Sequence, residues 1–78
     1  MNTYEITYNG NASRFKGKAF EVEAINPTAA VKSFYMAKVG DLLEQEDGGL
    51  KDECGNWVDY GDNWIEYDGG HFEAELLD

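Results

Sequence analysis

The residues able to do chemistry are few and unevenly placed. The chain holds one cysteine, Cys54, and one histidine, His71, seventeen positions apart. A thiolate nucleophile needs a base in direct contact, and nothing in the pattern brings these two together; Cys54 reads as a turn residue and His71 as a partner for Asp68. Carboxylates are abundant: Asp59, Asp62, Glu66, Asp68, Glu73 and Glu75 fall within seventeen residues. They do not match the spacing of a calcium loop. On strands, where side chains alternate, they spread along a face rather than converge on an ion. No glycine-rich phosphate loop is present, and the acids would repel a phosphate. The expectation is a protein that is not an enzyme and that uses no metal or cofactor.

Two tryptophans sit among these acids. The stretch 55–70, "GNWVDYGDNWIEYDGG", repeats itself after seven residues: Asn56-Trp57-Val58-Asp59-Tyr60, then Asn63-Trp64-Ile65-Glu66-Tyr67. Large apolar side chains amid negative charge suit an interface centre, where Trp is favoured and Lys is depleted.

The elements that must carry these residues follow from periodicity. "NTYEITYN" and "KAFEVEA" alternate as half-buried strands, with Tyr4, Ile6, Tyr8, Phe20, Val22 and Ala24 inward. The segment between them, "GNASRFKG", reads as a polar loop. Asn26 is a suitable N-cap and Pro27 a suitable first helical residue, and the spacing of Ala30, Val31, Phe34, Ala37 and Lys38 predicts a helix over roughly 27–46, bent near Gly40. Four strand-like runs follow: "LKDE", "NWVDY", "NWIEY" and "HFEAELL". Cys54-Gly55, Gly61-Asp62 and Gly69-Gly70 read as the turns between them. The fold class is α+β, a single domain over 1–78: an antiparallel sheet of four to five strands with one helix packed on a face, in the order ββαβββ.

Two-residue turns at Gly61-Asp62 and Gly69-Gly70 predict a register. Val58 then faces Ile65, Ile65 faces Ala74 and Tyr67 faces Phe72, all toward the helix. Asp59, Trp64, Glu75, Trp57, Glu66, Glu73, Asp68 and His71 are left on the opposite face, with Glu66 directly across from Glu73. Like charges so opposed are destabilising, which favours use of this face over stability alone. The candidate partner-binding residues are therefore Trp57, Asp59, Trp64, Glu66, Asp68, Glu73 and Glu75. A register slipped by one residue would send both tryptophans into the core.

Charge narrows the partner. The net charge is −10, and it is lopsided: residues 41–78 hold thirteen acids against Lys51, whereas residues 1–40 hold three acids against five bases. Such a field repels nucleic acid and attracts basic surfaces. Eleven aromatics exclude a disordered acidic tail. No apolar run is long enough for a membrane span, no leader pattern precedes the first strand, and one cysteine fits a reducing compartment.

The first half also resembles a known family. Met1-Asn2-Thr3-Tyr4 with Ile6, the strand Phe20-Val22-Ala24, and Thr28-Ala29-Ala30 with Lys32-Ser33 are similar to the N-terminal half of a small type I-E anti-CRISPR protein encoded by Pseudomonas phages. The resemblance covers roughly residues 1–40, and the acidic hairpins depart from it. It implies a non-enzymatic phage inhibitor that binds a type I CRISPR surveillance complex or its recruited nuclease; charge mimicry would block the complex's DNA-binding surface. The lone cysteine fits the host cytoplasm, and an exposed strand edge leaves monomer and homodimer both open. An inhibitor of another host DNA-binding protein or nuclease, and a structural domain with no charge-dependent partner, remain the competing expectations.

Overall fold

The computed structural model describes residues 1–77. Its elements in chain order are β1 (Asn2–Tyr8), β2 (Ala19–Ala24), α1 (Pro27–Lys38), β3 (Leu42–Glu44), β4 (Leu50–Asp52), β5 (Trp57–Val58), β6 (Trp64–Tyr67) and β7 (Gly70–Leu76). The class is α+β, and α1 packs on an antiparallel sheet. That sheet has four strands in the order β2-β1-β7-β6; a smaller sheet has the order β3-β4-β5. Strands β1 and β7, at opposite ends of the chain, pair at its centre, with Tyr4 across from Leu76 and Tyr8 across from Phe72.

The helix starts where its cap chemistry requires. The Asn26 side chain accepts a hydrogen bond from the Ala29 N–H at 2.7 Å, and Pro27 follows in the first turn. It ends earlier than its sequence predicts. The N–H groups of Val39 and Gly40 both donate to the Tyr35 carbonyl, and Leu42–Glu44 turns into a strand paired with Leu50–Asp52. The stretch Val39-Gly40-Asp41 has poor helix propensity. Pairing with a neighbouring strand supplies the hydrogen bonds that a longer helix would have made. The loop between β3 and β4 closes through Gln45 N–H to the Gly49 carbonyl, and the Asp47 carboxylate accepts from Gly49 N–H.

The core lies between α1 and the larger sheet. Ala30, Val31, Phe34 and Tyr35 of the helix meet Tyr4, Ile6, Tyr8, Ala24, Ile65, Phe72 and Ala74. Phe72 is fully buried at the centre, with the rings of Tyr8, Phe15, Phe34 and Tyr67 at centroid distances of 4.9–5.7 Å. Phe15 is an addition to the expected core. The "polar loop" between β1 and β2 folds its one large apolar residue inward, edge-on to Tyr8, Phe20, Phe34, Tyr67 and Phe72. A tyrosine holds that loop down: the Tyr8 hydroxyl accepts from Ala12 N–H at 3.1 Å and lies 2.9 Å from the Tyr67 carbonyl, to which it donates.

Tyr35 borders an acidic cleft. It lines a hollow of about 160 Å³ with Val39, Asp41, Asp52, Glu53, Cys54 and Tyr67. Burial pushes its phenol pKa upward, and the charges of Asp52 and other nearby groups add to that. A raised phenol pKa leaves the native state protonated after the unfolded chain has ionised. The contribution to stability is thus fully present below about pH 10 and is lost as pH climbs through the folded pKa. Urea unfolding at about pH 9 and about pH 11 is expected to show a smaller loss of stability in Tyr35→Phe than in the wild type; equal losses would contradict it.

Among the described residues, no helix is long and apolar enough to cross a membrane.

Candidate partner-binding face

One face of the larger sheet is covered by α1; the other is bare. Alternation assigns the bare face to Glu21 and Glu23 from β2, Thr3, Glu5 and Thr7 from β1, His71, Glu73 and Glu75 from β7, and Trp64 and Glu66 from β6. The register arranges them in rows across the strands. One row reads Glu21–Glu5–Glu75: Glu5 pairs with Glu21 on one side and with Glu75 on the other. The next reads Ala19–Thr7–Glu73–Trp64, and the one after ends His71–Glu66. Asp59 extends this last row, since its carbonyl accepts from the Glu66 N–H.

This is a different array from the one the hairpin turns predict. Both turns lie elsewhere. Gly61 N–H donates to the Trp64 carbonyl, so the first turn is Asp62-Asn63 rather than Gly61-Asp62. Tyr67 pairs with Gly70, so the second is Asp68-Gly69 rather than Gly69-Gly70. Asp68 and Gly69 have φ of 46° and 82°. A two-residue hairpin turn with both φ positive is type I′, which Asp-Gly favours over Gly-Gly because it leaves less chain entropy to lose. Moving a two-residue turn by one place changes every partner by two, so each side chain keeps its predicted face while its neighbours change. Glu66 therefore lies across from His71 and not Glu73, Trp64 across from Glu73 and not Glu75, and Asp59 beside Glu66 and not Trp64.

Five of the predicted residues, Asp59, Trp64, Glu66, Glu73 and Glu75, share the bare face. Asp68 stands exposed in the turn at the end of the hairpin. Its carbonyl accepts from Asn11 N–H at 2.9 Å, and it does not face His71. Trp57 is elsewhere. Its strand β5 belongs to the smaller sheet, across from Lys51, whose ammonium sits 4.7 Å from the indole centroid. The one base of the acidic half is thus engaged at Trp57, away from the bare face. Three acids that charge counting assigns to the basic half, Glu5, Glu21 and Glu23, join the array instead. Their signal was the outward position in two alternating strands; what was missing was the pairing of β1 with β7.

Alternation assigns no lysine or arginine to this face, and His71 is its one basic group; the salt bridge among the described residues is elsewhere, between Lys32 and Glu44 at 4.0 Å. No group of three or more His, Cys, Asp or Glu among them is arranged to hold a metal ion.

Trp64 is half-buried beside the His71 ring, at 5.8 Å between centroids. Its indole lies so close over Gly61 that a side chain at that position would collide with it. The tryptophan therefore packs against Gly61 and His71 at the margin of the acids and is half-buried rather than free in solvent. Trp64→Ala is expected to leave the fold intact by circular dichroism and to weaken partner binding by about 2 kcal/mol, the scale of an interface hot spot. Unfolding of the variant would instead make Trp64 a core residue.

No protein-family model, no curated protein and no solved structure matches the chain.

Proposed function

We propose that the protein is a non-enzymatic inhibitor that occupies the basic DNA-binding surface of another protein, presenting the bare sheet face in place of DNA phosphates. The observation that carries this reading is the row Glu21–Glu5–Glu75. Two directly opposed like-charge pairs in one row work against folding by roughly 0.2–1 kcal/mol each. Glu23, Glu73, Glu66 and Asp59 extend the same charge, and alternation places no lysine or arginine among them; His71 across from Glu66 is the one basic group on the face. A rigid sheet holds these carboxylates at strand spacing before any partner arrives, which lowers the ordering cost of binding. Trp64 adds an apolar anchor at the margin.

The resemblance of residues 1–40 to a type I anti-CRISPR protein points to a type I CRISPR surveillance complex as the target. Such complexes hold target DNA in positively charged channels. Other DNA-binding proteins and nucleases present the same chemistry. Fluorescence anisotropy of labelled target DNA on a purified type I complex tests the reading: the protein is expected to release the DNA in proportion to its concentration. Retention of the DNA on that complex, with release from a different host DNA-binding protein, would keep the mimicry and change the target. Retention on all of them would refute the mimicry.

A further inference from the structure

The larger sheet ends on an open strand. β2 pairs with β1 on one side, and among the described residues no backbone hydrogen bond reaches its other edge. Such an edge is a ready template for another strand. Beside it runs a groove between β2 and α1, about 370 Å³ in volume, lined by Phe20, Val22, Phe34 and Ala37, with Glu21 on its strand side and Ser33 and Lys38 on its helix side. Phe20 and Val22 are half-buried because α1 covers them incompletely. The opposite face of the same strand carries Glu21 and Glu23, both exposed.

We propose that β2 is a docking strand for an extended segment of another protein in which apolar residues alternate with Lys or Arg. Main-chain hydrogen bonds would extend the sheet by one strand. The apolar side chains would enter the groove beside Phe20 and Val22, and the basic ones would lie across from Glu21 and Glu23. Lys38 disfavours a base at the helix side of the groove, while Glu21 and Glu23 attract bases along the strand, which directs the positive charges toward β2 and its outer face. A second copy of this chain is a poor occupant. Antiparallel pairing of two β2 strands keeps the same faces together, so Glu21 and Glu23 of one copy would oppose those of the other, between two chains each carrying −10. An acidic segment is disfavoured on the same ground. Although Glu21 and Glu23 also border the acidic face, the groove and the strand edge stand without that reading.

The test uses the full chain and a short acetylated peptide alternating Val and Lys, with a Val/Glu peptide as counterpart, followed by amide chemical shifts. The expected result is binding of the Val/Lys peptide with shifts concentrated at 19–24 and 33–38. Glu21→Lys with Glu23→Lys is expected to weaken it by about tenfold or more and to transfer preference to the Val/Glu peptide. Ala37→Arg, an exposed helical position where Arg is well tolerated, fills the groove. It should weaken the Val/Lys peptide on the otherwise wild-type protein, and the Val/Glu peptide on the Glu21→Lys, Glu23→Lys background, by about tenfold each without lowering Tm. Shifts spread instead over Glu66, Glu73 and Glu75 would overturn the proposal, as would an unaffected Ala37→Arg, self-association of the protein through β2, or no binding at millimolar peptide. Because the peptide needs no DNA-binding partner, failure here leaves the acidic face untouched, and failure of DNA release leaves this result standing.

Discussion

Glu5→Gln, Glu21→Gln, Glu73→Gln and Glu75→Gln, made together, are expected to abolish binding to a basic DNA-binding partner while raising the stability of the free protein. The two effects have one cause. Glu5 stands between Glu21 and Glu75 in adjacent strands, and each direct pair of like charges is worth roughly 0.2–1 kcal/mol against folding. Amides keep the shape and remove the repulsion, so urea midpoints should move upward. Binding depends on the sum of the charges. Each exposed acid alone acts weakly and mainly on association rate, so single substitutions should shift affinity by a factor of a few. The quadruple variant should lose about 100-fold or more, because the central rows of the array become neutral. Wild-type affinity in the quadruple variant would remove this face from the interaction. A fall in stability would mean that these carboxylates have stabilising partners in solution.

Phe15→Ala is expected to be among the most damaging single substitutions in the chain. The ring is 4 % exposed and meets five other aromatic rings, three of them (Phe34, Tyr67 and Phe72) on elements distant in sequence. Truncating a buried phenylalanine costs about 3–5 kcal/mol when the cavity cannot collapse. Domains of this size have little stability to spare. Urea denaturation should show a variant largely or wholly unfolded near room temperature. A loss below about 1 kcal/mol would mean that the loop detaches without disturbing the core.

Phe15 also marks where the sequence stops being informative. "GNASRFKG" has the polar, glycine-bounded composition of a surface loop, and one phenylalanine in eight residues carries no periodicity. Its burial depends on the loop folding back against Phe34, Tyr67 and Phe72, which is a tertiary fact. The helix start was legible because Asn26 and Pro27 act locally. The helix end was not, because Leu42–Glu44 chooses a strand only when Leu50–Asp52 is there to pair with it. Alternation correctly assigned Trp64, Glu66, Glu73 and Glu75 to the solvent face, and that assignment survived two misplaced turns because the errors were of even register. It misassigned Trp57 because a strand can leave one sheet for another between neighbouring residues: Trp57-Val58 pair with β4, whereas Asp59 to Gly61 bond to β6. The most acidic row was invisible for a different reason. Glu5 and Glu75 are seventy positions apart, and only the pairing of the first strand with the last brings them together. Charge counted by halves of the chain conceals an array built from both.

The measurement closest to the central claim is the salt dependence of wild-type affinity for a purified type I surveillance complex, by calorimetry at low and at near-physiological ionic strength. If the carboxylate rows stand in for phosphates, attraction is screened within about 10 Å at 0.1 M salt. Affinity should then fall on the order of tenfold or more between the two conditions, and the quadruple glutamine variant should lose that dependence. An affinity that is unchanged by salt would contradict the account, because a partner held by apolar contact alone has no use for Glu21, Glu5 and Glu75 in one row.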